Sequence, residues 1–237
     1  MKLEKEERKG VRFWHRPGYS DLKTFEEVIE RNTYEKRGLR IVSGEHWMDC
    51  GGNVGAFALL ACSKGASVTV YEPDPFNCEL IEKNLKLNGY KQQASVVQAA
   101  LVSDSRKEAR LFIGNNNNVW RNSIVKKWNK LSCAVPCVNF DREADKHNFS
   151  GCKMDIEGAE MPILEETEST FDKLVYEWSF DIDPSLKRLW AVIEKQQKTY
   201  EVKAAWGTIK FNKRDYDTWQ KSWFPACTNV HCFKREL

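Results

Sequence analysis

The chain has no apolar run of about eighteen residues, the length a membrane-spanning helix needs. No transmembrane segment is therefore expected in its 237 residues. It also lacks a basic start followed by an apolar stretch. Met1-Lys2-Leu3-Glu4-Lys5-Glu6-Glu7-Arg8-Lys9 carries both signs of charge. That excludes a secretory signal and reads as the solvated start of a helix or a frayed arm. Without an export signal a cytoplasmic location is expected, and the sequon Asn148-Phe149-Ser150 carries no weight. The eight cysteines then read as reduced thiols, several of them (Cys50, Cys62, Cys152) in apolar runs. A charge excess is missing as well. The balance of 37 basic against 34 acidic residues leaves +3, too mild to mark a nucleic-acid binder, although a local patch can hide in such a total. Internal repeats and low-complexity linkers are absent. The one biased tract, Asn115 to Asn118, reads as a loop. The four histidines (His15, His46, His147, His231) show no metal spacing.

What is present suits one soluble α/β domain. Hydrophobic residues make up 41% and charged residues 30%, as in ordinary globular proteins. A chain of this length buries a full core without staples. We read an N-terminal helical segment over 1–40 and a main domain over 41–237. Leu22, Phe25, Val28 and Ile29 share one face of a helix over 21–33. His46 to Cys50 is a short strand, followed by the turn Gly51-Gly52-Asn53-Val54-Gly55 and a buried helix over 56–64. Ser67 to Tyr71 is a second strand ending at Glu72. Asp74-Pro75 starts a helix, with Asp as cap and Pro in the first turn, and Asn88-Gly89 stops it. Ser95 to Leu101 is a third strand. Leu111 to Ile113 and Ala134 to Phe140 bracket the Asn-rich loop. Gly151 to Ile156 and Lys173 to Phe180 are the fourth and fifth parallel strands. Residues 184–198 are helical, and Tyr200 to Trp206 with Thr228 to Lys234 form a final antiparallel pair. The order predicts a Rossmann-like, mostly parallel sheet with helices on both faces.

The turn after the first strand carries the strongest local signal. Its small residues allow a ligand close to the backbone, at the crossover where α/β sheets bind cofactors. It does not match G-x-G-x-x-G. An acid, Asp49, ends the strand instead; it repels a pyrophosphate and suits an ammonium group. Glu72 ends the second strand, where a carboxylate can take both ribose hydroxyls. Ribose, ammonium and no phosphate describe S-adenosylmethionine. The competing reading is a plain tight turn with an acid beside it.

The turn resembles motif I of class I methyltransferases. Lys153-Met154-Asp155-Ile156-Glu157-Gly158-Ala159-Glu160 resembles the K-I-D-V-E-G-A-E signature of the FkbM family. Arg16-Pro17-Gly18-Tyr19-Ser20-Asp21 with Tyr34, Glu72-Pro73-Asp74-Pro75, and Gln98-Ala99-Ala100-Leu101 resemble further segments of that family. The likeness runs from about residue 16 to 180. It implies S-adenosylmethionine-dependent O-methylation, often of a sugar or natural-product hydroxyl. It also implies that Asp49, Gly51, Asn53 and Gly55 hold the methionine part. Glu72, beside Pro73, would hold the ribose, and Ala99 would lie near adenine.

The octapeptide sits where the fourth strand meets the cofactor crevice, so Asp155 is the candidate general base for a poorly nucleophilic hydroxyl. Lys153 is placed to orient it or to lower the hydroxyl's pKa. Glu177 is either a third catalytic residue or a buried partner for Lys153. Glu157, Glu160 and Glu177 together suit a divalent cation such as Mg²⁺ through oxygen ligands, the alternative for Glu157 and Glu160 being that they simply favour a helix start near Gly158. No firm metal site is read from the sequence. Residues 114–128 form either a lid, with Asn122 and Ser123 on substrate, or a solvated loop. Cys133 and Cys137 with Cys227, Cys232 or His231 are irregularly spaced for zinc, and buried thiols are the expected reading. His231 is a second-choice base, and His15 beside Arg16 a structural residue. Trp47, Trp178 and Trp190 are expected in the core. Trp120, Trp128, Trp206, Trp219 and Trp223 are candidates for an acceptor platform, interleaved with Arg121, Lys126, Lys127, Lys130, Lys210, Lys213 and Arg214. The expected acceptor is a sugar or glycan. The rivals are methyl transfer to RNA or protein, and a non-catalytic module binding S-adenosylmethionine or a glycan.

Overall fold

The computed structural model describes residues 2–115, 117–204, 207–208 and 227–235. Trp206, Trp219, Trp223, Lys210, Lys213 and Arg214 lie outside the described residues.

The chain opens with a hairpin of β1 (Glu4–Arg8) and β2 (Val11–His15), paired antiparallel. This corrects the helix start or frayed arm read from the charged N-terminus. Val11, Phe13 and His15 point inward while Arg12 and Trp14 stay more exposed, the period of two that a strand gives. The helix expected over 21–33 is α1 (Asp21–Phe25), which passes into a π-helical turn over Glu26–Glu30 and stops there.

β3 (His46–Cys50), α2 (Ala56–Ser63), β4 (Ser67–Tyr71) and α3 (Pro75–Asn88) follow the expected order. The Asp74 side chain caps α3 by accepting from the Phe76 amide at 2.9 Å, and Gly89 ends it at φ +78°. The run Ser95 to Leu101 is not one strand. β5 (Ala94–Val97) stays in the main sheet, whereas β6 (Ala100–Val102) leaves it to pair with β8 (Ser132–Asn139), which also pairs with β7 (Glu108–Phe112). The remaining elements are α4 (Phe140–Ala144), β9 (Gly151–Met154), α5 (Glu160–Glu166), β10 (Lys173–Ser179), α6 (Leu186–Gln196), β11 (Tyr200–Ala204), β12 (Gly207–Thr208) and β13 (Cys227–Lys234).

The main sheet runs β12-β11-β13-β10-β9-β3-β4-β5. β3, β4, β5, β9 and β10 are parallel. β13 is antiparallel to both β10 and β11. The fold is the expected mixed α/β sheet, mostly parallel, with an antiparallel C-terminal pair. Alternate strand residues feed two cores. Trp47, Val68 and Val70 pack with α2 and with Leu80 and Ile81 of α3. Met48, Cys50, Met154 and Tyr176 pack on the other face with Met161 and Leu164 of α5 and with Leu189 and Ile193 of α6. Helices therefore cover both faces. The strand order reverses between β3, whose successor lies on one side, and β9 on the other, and ligands in such sheets bind beyond the strand ends at that switch point. Among the described residues no helix is long and apolar enough to cross a membrane.

Candidate active site

The switch point is closed by two loops in backbone contact. Asp155 N–H donates to the Cys50 carbonyl at 3.0 Å, and the Gly51 and Gly52 amides donate to the Tyr71 carbonyl. Gly51 sits at φ +84°, and a Cβ there would stand 1.9 Å from the Asp155 carbonyl oxygen. Only glycine fits. Gly55, also left-handed, starts α2 and packs on Ile81; it lines neither of the two cavities below.

The first cavity is walled by Gly51, Asn53, Glu72, Pro73, Ala99 and Ile156. The sequence thus brings four of its expected cofactor residues together with Gly51. Glu72 directly follows β4 and is 4% exposed. Its Oε2 accepts from the Asn53 amide at 2.7 Å and its Oε1 from the Asp74 amide at 2.9 Å. Burial pushes its carboxyl up to about 7, with the Asp74 charge adding and the two amides opposing. Oε1 also takes the Asn77 side-chain amide at 3.4 Å, while Oε2 keeps a second lone pair for a ribose hydroxyl. Asn77 contacts Glu72 and accepts from Arg16, which holds Asp21 through two nitrogens at 2.9 and 2.8 Å. The Arg16–Asp21 segment therefore anchors the hairpin to α3, and His15, buried beside it, takes the structural place expected.

The second cavity shares Gly51, Asn53, Trp120, Asp155 and Glu157 with the first and adds Tyr34, Glu27, Lys153, Glu177 and Arg121. Lys153 is 3% exposed, and its Nζ donates to the Gly51 carbonyl at 2.6 Å and pairs with Asp49 Oδ1 at 3.1 Å. The pair follows from register, because Asp49 on β3 faces Lys153 on β9. Glu177, weighed as the partner of Lys153, is not that partner. Burial alone would lower the Lys153 ammonium, but the carboxylates of Asp49 and Asp155 hold it charged. Asp49 is fully buried beneath the turn and lines neither cavity. Both residues brace the turn from below.

Asp155 Oδ2 accepts a 2.6 Å hydrogen bond from the Tyr34 hydroxyl. Burial, then the Asp155 charge, pushes that phenol well up, so it stays a donor. The Tyr34 carbonyl in turn lies 3.1 Å from His231 Nε2, which must carry the proton of that contact. Burial lowers His231 to about 4. It is 1% exposed, which corrects its reading as a base: it props Tyr34.

Asp155, Glu157 and Glu177 each place a carboxylate oxygen within 4.8 Å of the others. Burial first, then the Asp155 charge, pushes Glu157 and Glu177 well above the usual carboxylate range. Such a trio shares protons or suits a hard divalent cation. Glu160 faces away from it. Its oxygens accept from the Ile156 and Gly158 amides at 2.6 and 2.8 Å, so it fixes the loop before α5, the structural alternative.

Described residues of the 114–128 segment line this region. Trp120 and Arg121 line the second cavity and Asn122 the first. Ser123 is corrected as a substrate contact. It is 1% exposed, with its hydroxyl donating to the Glu157 carbonyl at 2.6 Å. Cys133 and Cys137 lie on β8 in the small sheet, far in topology from His231 and Cys232 on β13. The carboxylate trio is the sole group of three metal-type ligands among the described residues. Cys133 and Cys227 are exposed rather than buried. Trp47 and Trp178 are core residues. Sequence reasoning assigned no role to Glu27, tied Tyr34 only to the family resemblance, and placed Arg121 among the basic residues of the acceptor platform. Tyr34 had a signal, its place in the resemblance, but nothing local tied it to Asp155.

Among curated proteins none matches the chain. A solved FkbM methyltransferase from Methylobacillus flagellatus KT is similar in fold, with a TM-score of 0.52 and 18% identity, covering 84% of this chain. The chain spans about half that relative's length, 46%. A putative transferase, PH0793 from Pyrococcus horikoshii, superposes with a TM-score of 0.50 at 12% identity, covering 98% of this chain and 72% of the other. These likenesses speak to the fold. The model of the methyltransferase FkbM domain matches residues 49–202, more than half of the chain and the stretch that holds both loops of the site. The chain belongs to the FkbM methyltransferase domain family.

Proposed function

We propose that the chain transfers a methyl group from S-adenosylmethionine to a hydroxyl of a sugar or glycan. The observation that carries this reading is Asp155, set in the wall common to both cavities, with one oxygen held by Tyr34. When bound, S-adenosylmethionine supplies an electrophilic methyl group on a positively charged sulfur. The residues fit that group. Glu72 offers a carboxylate to a ribose, Pro73, Ala99 and Ile156 offer apolar walls to a base, and the carboxylates beyond them suit a cation.

The chain's own part is placement and proton removal. Tyr34 occupies Asp155 Oδ2, which leaves Oδ1 to accept the acceptor hydroxyl's proton. Lys153 and Asp49 hold the Gly51 turn against the Asp155 loop and so fix the spacing between the two ligands. Trp120, common to both cavities, limits water at the junction.

The acceptor cavity is acidic. Glu27, Asp155, Glu157, Glu177 and Asp181 line it, Arg121 pairs with Asp181 at 2.7 Å, and Lys153 with Asp49. A phosphodiester finds no unpaired cation among these residues and a neutral polyol needs none, which favours a glycan over RNA. The test is transfer of labelled methyl to glycans, total RNA and protein extract in parallel, each with and without Mg²⁺. Label in the glycan fraction supports the reading. Label in RNA or protein overturns the acceptor, and the Mg²⁺ arm decides whether the carboxylate trio holds a cation.

A further inference from the structure

A second depression adjoins the acceptor cavity, and the proposed function uses none of it beyond Trp120 and Arg121. It is lined by Tyr19, Lys23, Asn117, Asn118, Trp120 and Trp128, among others. Trp120 and Arg121 belong to both this groove and the acidic cavity, so the two are continuous.

We infer that this groove is a second saccharide subsite, so that the acceptor is an oligosaccharide whose terminal unit enters the acidic cavity while the preceding unit lies against Trp120 and Trp128. The inference rests on the glycan reading above and extends it to chain length. Three features carry it. First, the groove is aromatic: Tyr19, Trp120 and Trp128 each hold a cation within 6 Å of the ring, from Arg16 at 5.1 Å, Lys23 at 5.7 Å and Arg121 at 4.7 Å. Trp128 also has Lys126 at 5.6 Å. The cations hold the rings in place, and a ring face that carries no cation stacks on the apolar face of a sugar ring.

Second, polar side chains stand beside the rings: Asn117 and Asn118 line the groove. A side-chain amide both donates and accepts, as sugar hydroxyls do, so the two are matched. Third, the walls are tied in place. Ser20 N–H donates to the Asn117 carbonyl at 3.2 Å, and Asn115 Nδ2 reaches the Trp128 carbonyl at 3.3 Å. The groove thus stands without ligand, which spares the cost of ordering it on binding.

RNA fits less well. Tracking a phosphate backbone takes several unpaired cations. Of the cations lining the groove, Arg121 is neutralised by Asp181, and Lys23 is the one without an ion pair among the described residues.

The experiment is binding of the full chain, with S-adenosylhomocysteine present, to a glycan array spanning mono- to tetrasaccharides and to a single-stranded ten-nucleotide RNA. At least one oligosaccharide is expected to bind about 10-fold tighter than its own terminal monosaccharide, the gain of one stacked ring. Trp128→Ala should erase that gain. Asn118→Leu, which keeps both rings, should reduce it, and S-adenosylhomocysteine affinity, read by calorimetry, should stay unchanged in both variants. Glycan binding with no dependence on chain length, or a gain that survives both substitutions, overturns the subsite and leaves the glycan reading standing. RNA binding in place of glycan binding, or binding of neither, overturns both.

Discussion

The Tyr34 hydroxyl and Asp155 Oδ2, 121 positions apart in sequence, meet at 2.6 Å. The bond joins the segment after α1 to the loop after β9. Tyr34→Phe removes it and leaves the ring that Lys153 lies against at 5.4 Å. We expect kcat to fall about 10- to 100-fold, the worth of a hydrogen bond to a charged group. The KM for S-adenosylmethionine should stay the same. A fall in cofactor affinity with kcat intact would show that Tyr34 shapes the binding site and does not position Asp155.

Asp155→Asn separates catalysis from binding. The variant keeps size and shape but loses the carboxylate proposed as the base. It should bind S-adenosylhomocysteine as wild type does and transfer methyl at least about 100-fold more slowly, at the lower bound for loss of a general base. Undiminished turnover would remove Asp155 from the mechanism.

Glu72→Ala deletes the carboxylate at the end of β4. Cofactor binding should weaken by about 1–3 kcal/mol through lost hydrogen bonds. Part of that loss reflects the Asn53 and Asp74 amides it leaves without partners. Calorimetry checks this, and an unchanged affinity would displace the ribose from this cavity.

The site also sets a pH dependence of stability. Glu72 and Glu160 titrate near 7 in the fold against 4.5 ordinarily, chiefly because they are buried. A carboxyl raised on folding binds more protons folded than unfolded between those values. Its contribution is full below about 4.5 and is lost as pH climbs through about 7. Urea midpoints should therefore drop between about pH 5 and about pH 8, and Glu160→Gln should flatten that slope. A midpoint that rises over this interval would contradict the burial of these groups.

Gly51→Ala tests the contact between the two loops. The new methyl group would collide with the Asp155 carbonyl, at a backbone angle L residues rarely adopt. Strain and overpacking together should cost about 2–6 kcal/mol in denaturant unfolding. A smaller loss would mean that the loops separate easily.

Much of this architecture was legible from local signals. The Asp74-Pro75 start and Asn88-Gly89 stop delimit α3, and the Gly-rich turn with Glu72 marks the crevice. What escaped depends on partners distant in sequence. Nothing in the apolar run from Ser95 to Leu101 announces a break, because β6 departs to meet β8, where Ala100 lies opposite Cys137. β1 is charged throughout and carries no apolar alternation, so only Val11 and Phe13 hinted at the hairpin. The Lys153–Asp49 pair was within reach, since placing β9 beside β3 aligns the two. The Tyr34–Asp155 and Tyr34–His231 contacts were not, because each joins loop or strand residues whose approach only the finished sheet determines.

β13 lies between β10 and β11, both of which precede it in the chain. During synthesis those two strands emerge first and cannot pair with each other in the native order; they wait with open edges for residues 227–234. His231, which props Tyr34, arrives in the same strand. The support of Tyr34 thus depends on a strand that follows both of its sheet neighbours in the chain, so β3, the Gly51 turn and β4 can form before that support exists.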